Sequence, residues 1–237
     1  QKFVHGEISF DGAVSSDDIL PDETRSYLFA NGKFDLPRDF TLTFDIETTS
    51  DDDYLSDYGY SSKDRLDSAL TLSRTRRDEF LRAQIIGYYS LRSSEDNQTQ
   101  PFFLGDLSGQ KRFVPAFIGG VGTWSAQAHT HERRSNEDII GRDVNRISGR
   151  FDWQRSWLTE RGMLLTAQTR FQFDRTVVND DSNYLDPIND FTPTGAVEMR
   201  WPLVKSTGRA SHVIEPVVQL IYSPDDGEDT PNDERTQ

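Results

Sequence analysis

Cysteine is absent from the 237 residues, so neither a disulfide framework nor a thiolate metal site is available. The chain also has no apolar run of about 18 residues or more, which excludes a transmembrane helix. Positive charge is scarce: 26 Lys and Arg stand against 40 Asp and Glu, for a net charge of -14. The basic clusters, Arg74 to Arg77 and Arg133-Arg134, are short and flanked by acids. A nucleic-acid partner, which demands a continuous basic patch, is therefore excluded. With 34% hydrophobic and 11% aromatic residues, the chain is thinly supplied for the buried core of an α/β domain. Gln1-Lys2-Phe3-Val4-His5-Gly6 runs straight into a patterned segment with no signal peptide ahead of it, the start expected of a mature or truncated chain.

What the chain does have is alternation. In Phe40-Thr41-Leu42-Thr43-Phe44-Asp45-Ile46-Glu47-Thr48, an extended backbone puts Phe40, Leu42, Phe44 and Ile46 on one face. Thr41, Thr43, Asp45 and Glu47 fall on the other. A second clear run opposes Leu165, Ala167, Thr169, Phe171 and Phe173 to Thr166, Gln168, Arg170, Gln172 and Asp174. Similar segments fall near Val4 to Val14, Arg25 to Phe34, Leu66 to Ser73, Arg82 to Leu91, Val121 to His131, Arg146 to Trp157, Gly195 to Leu203 and Val213 to Tyr222. Pro101 to Gly120 is the least legible stretch. The links are long, then short, then long again, and the acids crowd the long ones, such as Thr49 to Lys63, Glu132 to Asp143 and Asn179 to Phe191.

About eleven strands of about 9–12 residues, alternately apolar and polar, with loops of unequal length on the two sides, predict an all-β, antiparallel up-and-down meander belonging to a large transmembrane β-barrel. Only every second residue of a spanning strand meets lipid, so a polar composition is compatible with the membrane. Phe40, Leu42, Phe44, Ile46, Phe171 and Phe173 are the expected lipid-facing residues. Asp45, Glu47, Arg150, Asp152, Gln168, Arg170, Gln172, Asp174, Glu198, Arg200 and Glu215 are the expected lumen-facing ones. A lumen of mutually paired charges is the ordinary filling of such barrels, and the same charges suit the passage of an amphiphile's sugar head. Trp124, Trp153, Trp157, Trp201, Tyr88, Tyr89 and Tyr222 suit aromatic girdles at the headgroup level.

No catalytic, cofactor or metal centre stands out. His129 and His131 share a strand face at a spacing that can set two imidazoles on one metal, but only His5 and His212 remain elsewhere, and the reading kept is a solvated pair at a loop edge. Asp51-Asp52-Asp53 with Asp57 lacks the residue order of a calcium loop and reads as a solvated loop. An odd strand count and the acidic tail from Ser223 onward lead to the expectation that the chain covers part of a barrel.

Several blocks carry a family resemblance: Asp22-Glu23-Thr24-Arg25-Ser26-Tyr27-Leu28-Phe29-Ala30, the stretch from Phe34-Asp35-Leu36-Pro37 to Thr49-Ser50-Asp51, Asp64-Arg65-Leu66, and Ser211-His212-Val213-Ile214-Glu215-Pro216 followed by a strand and Ser223-Pro224. In these the chain resembles the lipopolysaccharide-assembly outer-membrane protein family LptD (OstA/Imp), in the form carried by alphaproteobacteria. The resemblance implies a translocon rather than an enzyme, set in the outer membrane of a Gram-negative bacterium. Its partners would be lipopolysaccharide, outer-membrane lipid, a plug lipoprotein and periplasmic bridge proteins. Residues 1–237 would then form a partial barrel domain without the family's N-terminal jellyroll or its C-terminal strands. A small outer-membrane barrel enzyme, a porin-like channel and a soluble β-sandwich binding module are the alternatives. The sandwich requires Phe40, Leu42, Phe44 and Ile46 to meet a second sheet.

Overall fold

A computed structural model describes residues 5–16, 18–21, 23–224 and 230–231. Val4, Asp22 and the acidic tail from residue 225, apart from Thr230 and Pro231, lie outside them. The strands are β1 (His5–Ser15), β2 (Arg25–Leu36), β3 (Phe40–Thr49), β4 (Arg65–Thr75), β5 (Glu79–Ser90), β6 (Pro101–Phe113), β7 (Val121–Arg133), β8 (Asp143–Leu158), β9 (Leu164–Asn179), β10 (Ile188–Arg200), β11 (Leu203–Thr207), β12 (Ala210–Ile214) and β13 (Val217–Tyr222). A single turn of helix, α1 (Tyr54–Asp57), lies between β3 and β4. Eleven strands form one sheet in the order β1-β2-β3-β4-β5-β6-β7-β8-β9-β10-β13, and β11 and β12 make a two-stranded ribbon. Sequence neighbours are sheet neighbours from β1 to β10, which is the expected antiparallel meander.

The local reasons are visible in the pairing. Gly32 stands opposite Phe44, and Gly6 opposite Phe34. A Cβ built on Gly32 would lie 2.5 Å from Phe44 Cε1, so the phenyl ring covers the bare backbone and a larger residue would have to displace it. At the short connections, Pro37 begins a turn in which Arg38 and Asp39 take left-handed backbone angles (φ 65° and 66°). Gly120 has φ +76°, and a Cβ there would meet Gln154 O at 2.3 Å, so both conformation and space demand glycine where β7 begins.

Three segments depart from the expectation. Pro101 to Gly120, illegible in sequence, contains β6, and Ile188 to Phe191, expected as loop, already belongs to β10. The expected Lys205 to Arg209 turn is tighter: β11 runs to Thr207, and β12 starts at Ala210. Arg200 pairs with Val217, and Leu203 with Ile214 in the same register, so β10–β11 and β12–β13 are one long hairpin. Pro202 and Pro216 lack the N–H a ladder needs and divide it in two.

The chain divides into two compact units, the first of residues 1–109, 127–147 and 176–187, the second of 110–126, 148–175 and 188–237. In the first, the buried apolar core sits at the long connections: Tyr27, Tyr54, Leu55 and Leu66, with Ala13, Phe29 and Leu91 against them. Large apolar side chains on the strands stay exposed instead, Phe10 at 76% and, in the second unit, Leu220 at 73%. No second sheet able to cover Phe40, Leu42, Phe44 and Ile46 exists among the described residues, so the sandwich arrangement is not the one adopted.

Candidate functional site

In the first unit the register sorts side chains onto two faces, because directly opposed residues share a face. Ala30 opposes Ile46, Phe34 opposes Leu42 and Leu36 opposes Phe40; on the next pair Leu42 meets Leu72 and Phe44 meets Leu70. This apolar face, extended by Ile85 and Phe103, holds an open groove of about 430 Å³. On the opposite face Asn31 opposes Asp45, Lys33 opposes Thr43, and Thr43 opposes Thr71.

Glu47 lies on the polar side but is not an open charge. Its carboxylate is buried, takes the Lys63 ammonium and accepts the Asp67 N–H at 3.3 Å. That pairing raises the Lys63 pKa. Ser68 ties the Glu47 backbone, accepting from its N–H at 2.9 Å and donating to its carbonyl at 3.1 Å.

Arg25 is a buried charge, at 1% exposure. Its guanidinium donates to Asp51 (2.7 and 3.0 Å) and Asp57 (2.8 Å), and lies 5.1 Å from the centre of the Tyr54 ring. These hydrogen bonds hold the Asp51 carboxyl below its ordinary range. Two members of the aspartate run considered for calcium thus serve a guanidinium, and α1 supplies Tyr54 to cap it. Sequence reading missed Arg25, although an arginine opening a strand beside an acid-rich loop was the available signal. Farther along the same connections Glu95 takes Arg65 and Ser90, which hold its pKa down to about 2. Arg142 takes Asp181 at 2.8 Å; burial opposes ionisation there, but the Asn183 N–H and the guanidinium outweigh it and lower the pKa.

His129 and His131 share a strand face, as expected, but they are not a solvated pair: His131 is buried, and both belong to a hydrogen-bonded chain. Asp106 sits 2.7 Å from His129 Nδ1, His129 Nε2 lies 3.4 Å from His131 Nδ1, and His131 Nε2 lies 3.3 Å from an Arg133 guanidinium nitrogen. One set of tautomers satisfies all three: Arg133 donates to His131, His131 to His129, and His129 to Asp106.

The second unit concentrates the remaining candidates. Asp152 accepts from Arg150 at 2.9 Å and from Arg170 at 2.7 Å. Asp174 takes Ser148 and, at 2.8 Å, Gln172. Glu198 pairs with Arg200 at 2.5 Å, with Gln219 at 3.5 Å from it and Glu215 at 3.9 Å from Arg200. Gln168, Asp152 and Arg170 line an open cleft of about 670 Å³ together with Gln154, Ser156, Thr194 and Gln219. This surface offers many hydroxyl, amide and paired ionic groups.

Phe171 joins a row of rings across four strands: Trp124 to Phe151 at 4.5 Å, Phe151 to Phe171 at 6.4 Å and 8°, Phe171 to Phe191 at 6.4 Å and 5°. Phe173, two residues along β9, is also exposed. Phe191 escaped the sequence reading because it sat in an expected loop.

No curated protein matches the chain. The family model described as LptD, LPS transport system D, matches residues 23–236, nearly the whole length. A meander of strands that leaves its apolar side chains uncovered, together with that match, fixes the assignment: the chain belongs to the LptD family and is a component of the outer-membrane translocon for lipopolysaccharide.

Proposed function

We propose that the face carrying Phe40, Leu42, Phe44, Ile46, Phe171 and Phe173 lies against membrane lipid. The face carrying Asp45, Arg150, Asp152, Gln168, Arg170, Gln172, Asp174, Glu198, Arg200 and Glu215, with Glu47 at its rim, then lines the lumen that lipopolysaccharide passes. The observation that supports this reading is the register itself, which keeps the apolar and polar sets on opposite faces in β1 to β5. A polar, internally paired wall favours transit: its charges are already satisfied, so a phosphorylated sugar head is hydrated and guided without being trapped. The long connections at 50–64, 91–100, 134–142 and 180–187 point to the cell exterior.

In this reading residues 1–237 contribute central strands to one barrel domain of the outer membrane, and a plug lipoprotein and periplasmic bridge proteins of the same pathway are its partners. The blocks at Asp22 to Ala30 and Ser211 to Pro216 support the alphaproteobacterial form. The polar wall acts by lining the path, without chemistry of its own.

Because cysteine is absent, single substitutions test the faces cleanly. Phe44→Cys in outer membranes should resist a water-soluble maleimide and accept a lipid-soluble one, whereas Thr43→Cys should accept the water-soluble reagent. Equal labelling of both positions would overturn the assignment.

A further inference from the structure

The β11–β12 ribbon matches nothing in the lumen or in the lipid-facing band. It continues the β10–β13 hairpin beyond the Pro202 and Pro216 break, past the C-terminal end of β10. Trp201 N still donates to Pro216 O at 3.0 Å, so the register survives the break. The Trp201 indole donates to Arg161 O at 3.2 Å and fastens the base of the ribbon to the β8–β9 turn. All ten residues of β11 and β12 are exposed.

Read outward along one face, the composition changes in order. Val197 opposes Leu220 and Met199 opposes Val218 on the apolar face; next come Trp201 and Pro216, then Leu203 opposite Ile214, and then Lys205 opposite His212, with Arg209 at the turn. Apolar, then indole, then cationic is the order of a bilayer crossed from hydrocarbon to headgroup phosphate. The ribbon is also basic within an acidic chain. The one acid between Trp201 and Pro216 is Glu215, which lies beside Arg200, and neither Lys205 nor Arg209 makes an ion pair among the described residues.

We propose that this ribbon binds the headgroup surface of anionic phospholipid, with Trp201, Leu203 and Ile214 seated at the edge of the hydrocarbon and Lys205 and Arg209 on lipid phosphates. The inference rests on the barrel reading and adds a partner that reading does not name: the leaflet on the short-turn side. Charge complementarity selects lipid, since two unpaired cations beside an indole at the margin of an apolar face suit a phosphate surface. The divided ladder lets the ribbon tilt onto that surface without disturbing β10 and β13.

The test uses the complete barrel to which these strands belong, folded into vesicles of phosphatidylcholine alone or mixed with phosphatidylglycerol. One environment-sensitive fluorophore is placed at Thr207→Cys on the ribbon and another, in a separate sample, at Val197→Cys on the apolar face. Each cation near an anionic surface multiplies binding about fivefold, so the ratio of lipid-bound to free ribbon should rise about thirtyfold with phosphatidylglycerol. Salt should reverse the rise, and Lys205→Gln with Arg209→Gln should abolish it while the Val197→Cys label stays in lipid. A Thr207→Cys label indifferent to phosphatidylglycerol, with the Val197→Cys label in lipid, overturns the ribbon proposal alone and leaves the ribbon to a protein partner. A Val197→Cys label in water overturns the barrel reading as well.

Discussion

Replacing Phe44 by arginine is the sharpest test of how this sheet meets its surroundings. Phe44 is the fifth residue of the ten in β3. At a rise of ~3.3 Å per residue and a tilt of ~45°, it lies about 9 Å from one end of the strand and about 12 Å from the other along the membrane normal. A lipid-facing band ~25 Å tall thus places it near the midplane, where an arginine costs about 2–4 kcal/mol. The substitution also uncovers Gly32, over which the ring lies, and opens the groove that Phe44 lines with Leu70 and Ile85. Thr43→Arg is the control. It is one residue away on the other face, opposite Lys33 and Thr71, and costs only the like-charge repulsion with Lys33, about 0.2–1 kcal/mol. Both variants are made in the complete barrel and folded into lipid vesicles, and urea titrations of the folded fraction yield the two free-energy changes. Destabilisation of equal size, or a larger loss for Thr43→Arg, refutes the assignment of faces.

Three further outcomes are expected at the connections. Arg25→Ala leaves Asp51 and Asp57 without their cation; because the carboxylates keep partial exposure (22% and 32%), the loss should be about 2–3 kcal/mol, below that of a fully buried pair, with faster hydrogen exchange in residues 50–60. Arg25→Lys should recover only part of it, since an ammonium cannot reproduce the bidentate hold on Asp51. Acid should loosen the 91–100 connection: Glu95 drops from its ordinary 4.5 to about 2 in the fold, so its contribution is complete above about 4.5 and disappears as pH falls towards 2, which proteolysis across that range would detect. Gly120→Ala should destabilise well beyond the ~1–2 kcal/mol of a left-handed alanine because of the contact at Gln154 O, whereas Gly162→Ala (φ +78°, open space) should cost only that amount, as compared by thermal melts.

Much of the sheet was legible because a two-residue period leaves little choice once one face is apolar. Phe40 to Thr48 and Leu165 to Asp174 announce their strands and the sets of residues sharing a face. β6 was not legible, since Phe102, Phe103 and Leu104 run together and Gly105 and Gly109 interrupt the pattern; its ladder is supplied by β5 and β7. α1 is a single turn, too short to hold without packing, and exists because Tyr54 and Leu55 are buried on Tyr27 and Leu66. Arg25, Lys63 and Arg142 do not stand out in the sequence because their partners are many residues away.

By itself the sequence determined the class of fold, the exclusion of a spanning helix, the alternation that separates lipid-suited from polar positions, and the blocks that resemble the LptD family. These are properties of composition and short-range spacing, which the chain carries whether folded or not. Only the tertiary structure decided which carboxylate meets which guanidinium, that Glu47 is buried under Lys63, that the histidines form a chain from Asp106 to Arg133, and that two prolines split one hairpin into a sheet strand pair and an exposed ribbon. Each depends on register and loop closure, and register is a property of pairs of strands that no single stretch of sequence contains.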